Sequence, residues 1–151
     1  MTTPNDKVVA ALNNLIATCK DGQNGYQTAA SCVTNPDLKT LFQSYSRQRG
    51  QYAQELQDEV ARLGGEPGKH GSVTGPVWRA WTNIKSLLSG GSEHAVITEC
   101  ERAEDAAKEA YADALRNTLP PHVQALPERQ FAGVKEAHDR IRALEVATGK
   151  T

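Results

Sequence analysis

The sequence predicts an all-α fold: four long helices paired as two antiparallel hairpins, with a short crossover helix between the pairs. Three observations carry this. Apolar residues recur in alternating steps of three and four along each long segment, the spacing that lines one helix face. Most of the seven prolines and twelve glycines fall between those segments. No segment alternates apolar and polar residues with the two-residue period of a strand. A length of 151 residues suits one domain over residues 1–151.

The first helix is predicted over residues 5–33, with Val8, Leu12, Leu15, Cys19, Gly22, Tyr26, Ala29 and Val33 on one stripe. Gly22 and Gly25 each cost about 1 kcal/mol in mid-helix relative to alanine, so a neighbour is expected to approach closely there. Asn35-Pro36-Asp37 makes the first corner. The second helix, 36–63, carries Leu38, Phe42, Tyr45, Arg49, Tyr52, Leu56 and Leu63, and Gly64-Gly65 ends it. Residues 66–75 form the one long loop. A short helix over 76–88 follows, with Pro76 in its first turn. Ser92 caps a third long helix, 92–118, whose stripe is Ile97, Cys100, Glu104, Ala107, Tyr111 and Ala114. After Pro120-Pro121 the last helix runs to about residue 146, with Pro127 bending its early part and Phe131, Val134, His138 and Ile141 on its stripe.

Composition excludes several functions. The net charge of −1 and pI near 6.4 favour neither nucleic acid nor an anionic membrane as a general partner. No apolar run approaches the ~20 residues that span a bilayer, so stable membrane insertion is not expected. No basic–apolar–small leader pattern opens the chain, and the reading is cytoplasmic. Cys19 and Cys32 lie ~20 Å apart along one helix and cannot bridge. With Cys100 on a core stripe and no C-x-x-C, the three read as reduced structural thiols. Nucleophile-elbow, phosphate-loop and H-E-x-x-H motifs are all missing. His70, His94 and His122 read as isolated surface residues.

Glu104 and His138 stand out because each interrupts an apolar stripe and is aimed at neighbouring helices. In bundles, inward carboxylates and histidines build metal and cofactor sites. The order of two long helices, a crossover and two more long helices is the layout of ferritin-like folds.

The segments LNNLIATCKDGQNGYQTAA, PDLKTLFQSYSRQRGQYAQELQDEVARLGG, GSVTGPVWRAWTNIKSLLSG and ECERAEDAAKEAYADAL carry a closer resemblance. Together they resemble a bacterial ferritin-like four-helix-bundle family of about this length whose members carry a domain of unknown function. The resemblance runs over about residues 5–144 and implies the fold, with no established activity. Dinuclear ferritin-like proteins take one carboxylate from each of two helices and an E-x-x-H pair from each of the others. Arg49 and Tyr52 stand where the first pair belongs, and Lys135 precedes His138 where the second does. Two or three of the six ligands remain, and cations would repel a metal there.

The residues therefore support three readings. In the first, the protein is a non-catalytic ferritin-like bundle without a cofactor, stress-associated only by analogy with ferritin-like relatives. A polar network of Arg49, Glu104, His138, Tyr26 and Tyr52, with Tyr45 as a further partner, replaces the dimetal site. Simpler alternatives pair Glu104 with Lys108 one turn on, or leave His138 as a bonded core histidine. In the second reading, iron is bound, and oxidised in the manner of a ferroxidase, by Glu104, His138, Asp21 and Glu101. In the third, the protein is a homo-oligomeric scaffold, or contacts an unidentified protein partner, through Trp78 and Trp81. Those tryptophans equally suit a helix that covers the bundle, or, beside Arg79 and Lys85, weak contact with a membrane surface.

Overall fold

The computed structural model describes residues 4–68, 76–88, 90–116 and 119–149. It contains helices α1 (Pro4–Cys32), α2 (Pro36–Arg62), α3 (Pro76–Lys85), α4 (Glu93–Arg116) and α5 (Pro121–Gly149), and no strand among the described residues. The expected loop around His70 and the end of the third long helix at residues 117–118 lie outside them.

The helix ends follow local chemistry. The Asn35 side chain accepts from the backbone N–H of Asp37 and Leu38 at 2.8 and 3.2 Å, while Pro36 needs no partner at the first helical position. Gly64, at φ 79°, turns the chain out of α2. Ser92 Oγ accepts from Ala95 N–H at 3.0 Å and starts α4. The crossover is α-helical only as far as Lys85 and continues in turns to Leu88. Helix α5 continues through Pro127, whose missing N–H leaves the Val123 carbonyl without its helical donor.

Helices α1 and α2 pack as one pair and α4 and α5 as another. The three-residue link at 33–35 makes the first pair antiparallel. Contacts of α1 with α4 and of α2 with α5 close the four into a ring, and α3 lies across α1 and α4. All eight residues of the α1 stripe are buried, as are all six named on α4. Two apolar clusters fill the ring. One holds Leu12, Leu15, Leu56, Tyr111 and Val134, and the other Tyr26, Phe42, Trp81, Ile97 and Ile141. Along each helix a short polar or glycine step separates them: Gly22, Arg49, Glu104 and His138. The bundle thus has a polar waist between two apolar halves. None of its described helices is long and apolar enough to cross a membrane.

Candidate functional site

Arg49 and Glu104 meet in the waist. Arg49 Nη1 and Nη2 donate to Glu104 Oε1 and Oε2, both at 2.6 Å, with the side chains 2% and 0% exposed. Arg49 Nε donates to Gln48 Oε1 at 3.2 Å. This fork-on-fork geometry is the strong, directional form of an ion pair. Burial opposes the guanidinium charge, but the Glu104 carboxylate and its hydrogen bonds outweigh that and raise the Arg49 pKa further. Gly22 explains how so large a side chain crosses the core: a Cβ there would lie 3.3 Å from Arg49 Cγ. Glu104 therefore turns inward to Arg49, not outward to Lys108.

The aromatic shell is tighter than the expected network. The Tyr26 ring lies 5.6 Å from the Arg49 guanidinium carbon, a cation–π contact, and packs against Phe42, Tyr45 and Trp81. Burial and the adjacent Glu104 charge push the Tyr26 phenol well above its usual pKa, yet its hydroxyl has no aligned hydrogen-bond partner. Tyr45 and Tyr52 are half-buried at the edges of the α2 stripe. Tyr52 packs its hydroxyl against Gly133 of α5 instead of joining the ion pair.

His138 does not join it either. Its Nε2 lies 2.8 Å from Asp105 Oδ1 and 3.1 Å from Glu101 Oε1, and its Nδ1 lies 3.2 Å from Asp139 Oδ1. Helix α4 supplies the first two carboxylates one turn apart, on the face beside the Glu104 stripe. Glu101, Asp105 and His138 offer ligand atoms within 4.8 Å of one another. The expected iron set of Glu104, His138, Asp21 and Glu101 is thus split: His138 and Glu101 stay together, Asp105 joins them, and Glu104 is taken by Arg49. Asp21 lies elsewhere, in clefts beside Trp78 under α3.

A second polar chain went unseen in the sequence. Tyr111 Oη donates to Gln130 Oε1 at 2.7 Å. Gln130 Nε2 donates to the Tyr52 carbonyl and to Glu55 Oε1 at 3.2 and 3.1 Å, which fixes the amide orientation. The Tyr111 proton being committed, Cys19 is left to donate its S–H to Tyr111 Oη at 3.1 Å. Arg129 completes the chain at the surface through Glu55, 2.9 Å away. Burial pushes the Cys19 thiol up to about 11, its hydrogen bond to Tyr111 offsetting part of the rise. The signal lay in extending the α5 stripe backwards. Steps of three and four from Val134 reach Gln130 and Pro127, both buried, whereas Phe131 is only half-buried. Lys135 is likewise exposed, its Nζ 4.5 Å above the Phe131 ring, and not in the core.

Residues 7–117 match the family described as a domain of unknown function, DUF2383. The chain belongs to this family. No curated protein matches the chain. The matched DUF2383 segment holds Gly22, Arg49, Glu104 and both tryptophans, so the waist pair lies wholly within it. His138 and Gln130 lie beyond it on α5.

The two tryptophans separate. Trp81 is 5% exposed, edge-on to Tyr26 at 4.7 Å, and occupies the space a Cβ on Gly25 would need. Trp78 is 38% exposed. The expected contact pair is thus split in exposure, Trp78 accessible and Trp81 packed inside. Trp81 anchors α3 to the core and Trp78 is the more exposed of the two, the pair being offset by about 60° around a helix that packs across α1 and α4.

Proposed function

We propose that this DUF2383 protein is a non-catalytic, ferritin-like four-helix bundle that serves as a binding protein, with an ion pair at the waist where a dinuclear metal centre would sit. The supporting observation is the buried bidentate Arg49–Glu104 pair. Both Glu104 oxygens are occupied, a permanent cation shares the space, and the α1 position facing it is Gly22, which offers no ligand. A dinuclear iron centre does not fit this donor set. Three free cysteines, two of them buried, suit a reducing compartment and hence the cytoplasm. Any stress role rests on likeness to ferritin-like proteins alone.

A second reading keeps metal at a different place. Glu101, Asp105 and His138 form a three-ligand set for one divalent cation at the α4–α5 seam, and Asp139 on Nδ1 orients Nε2 toward it. Anaerobic loading with ferrous iron, desalting and elemental analysis separates the readings. The waist pair predicts fewer than two irons per chain, and any single retained ion should vanish in His138→Ala while surviving in Tyr26→Phe. Retention of two irons per chain that disappears in Glu104→Gln would overturn the proposal.

A further inference from the structure

Helix α3 roofs a groove that the waist does not use. Between α1 and α4, under Val77 and Trp78, lies a groove of about 500 Å³ with Ala17, Ala106 and Ala110 in its wall. A smaller cleft of about 120 Å³ opens beside it toward Trp81 and Thr28. Asp21 and Trp78 line both.

Asp21 is the unusual member. It is half-buried, and among the described residues no hydrogen bond or ion pair reaches it. Burial pushes its carboxyl up to about 6. The Trp81 side chain lines the same cleft. At the α4 edge Glu109 and Asp113 pair with Arg116 at 3.9 and 3.4 Å. Lys85 stands in the wall of the smaller cleft.

We infer that the Asp21–Trp78 groove binds an aliphatic ammonium compound, its charged head on Asp21 beside the indoles and its alkyl chain along the alanine wall between α1 and α4. The carboxylate supplies an unpaired acceptor for N–H donors, and the exposed indole offers a π face to the cation. The alanine side chains leave width for methylene groups and give them an apolar surface. Charge complementarity favours a cation over an acid or a neutral alcohol, since the Asp21 carboxylate lines the groove.

Trp78 and Trp81 are the only tryptophans, so intrinsic fluorescence reads the site directly. The test titrates the full-length protein with n-hexylammonium chloride at pH 8, with hexanol and hexanoate as comparison probes. Saturable binding of hexylammonium is expected, at least tenfold tighter than hexanol, with no binding of hexanoate. Asp21→Asn should weaken it at least tenfold, its fold checked by circular dichroism. The wild type provides a measurement independent of that variant. Hexylammonium stays charged down to pH 5, where only about a tenth of Asp21 is ionised, so affinity should drop roughly tenfold between pH 8 and pH 5. Glu109, Asp113, Arg116 and Lys85 are the other charged groups facing the two clefts. Equal affinity for hexylammonium and hexanol, a flat pH profile, or no saturable signal would each overturn the inference.

Discussion

Replacing Glu104 by Gln leaves the shape of the waist almost unchanged and removes its negative charge. Arg49, 2% exposed, then has no counter-ion, and the new amide NH₂ faces one of its two donor nitrogens instead of accepting from it. Breaking a buried pair from one side costs about 3–5 kcal/mol. A domain of this size holds about 5–15 kcal/mol in all, so a large share of its stability is at stake. At about 2–4 °C per kcal/mol, the melting temperature should fall by about 6–20 °C. Urea denaturation followed by far-UV circular dichroism at pH 7 measures the loss as a lowered midpoint at unchanged slope. The loss should persist in 1 M salt, because screening ions do not reach a fully buried pair. Arg49→Met combined with Glu104→Leu should recover most of it, since apolar replacements of similar volume remove both desolvation costs. A midpoint unmoved in Glu104→Gln, or a double variant as weak as the single one, would refute the account of the waist.

Other substitutions probe the surroundings. Asp21→Asn should stabilise the protein at pH 7 by on the order of 1 kcal/mol once the exposed half of the side chain is discounted. The folded pKa, about 6 against 3.8, lies above the unfolded one, so the charged carboxylate opposes folding above pH 6 and ceases to do so below pH 4. The gain should therefore vanish in urea melts at pH 3.5, and a gain that is constant with pH would contradict the burial of Asp21. Thiol titration with a disulfide reagent at pH 8 should find one reactive cysteine in the native state, half-buried Cys32, and three after denaturation, because Cys19 and Cys100 are buried with raised pKa values. Two or more fast thiols would show that the core opens readily. Gly25→Ala places a methyl group inside the Trp81 ring, so about 1–3 kcal/mol of destabilisation is expected, with a red shift of tryptophan emission as α3 lifts. Unchanged emission would mean that Trp81 does not rest on α1.

Much of the fold is legible along single helices. Helix α1 repeats its stripe without a break from Val8 to Val33, and every member is buried. The Asn35 and Ser92 caps are equally readable, because a cap depends on residues within one turn. Arg49 and Glu104 could be recognised as inward-facing from periodicity on their own helices. The α5 stripe lies one residue away from the expected Phe131 where Pro127 and Gln130, neither an obvious core residue, occupy its early turns.

Which residues face inward follows from the order of residues along each helix, since a helix is a local structure with a fixed period. Partnership depended on how the helices align with one another, and that was decided only by the tertiary structure. Arg49 and Glu104 are 55 residues apart, Cys19 and Tyr111 are 92, and no periodicity within either helix says they lie at one level. The same alignment gave His138 to Glu101 and Asp105 rather than to the waist, and turned Asp21 toward α3. It also put Trp81 inside and Trp78 outside, because α3 packs on two helices at once and Gly25 leaves the Trp81 ring its space on α1.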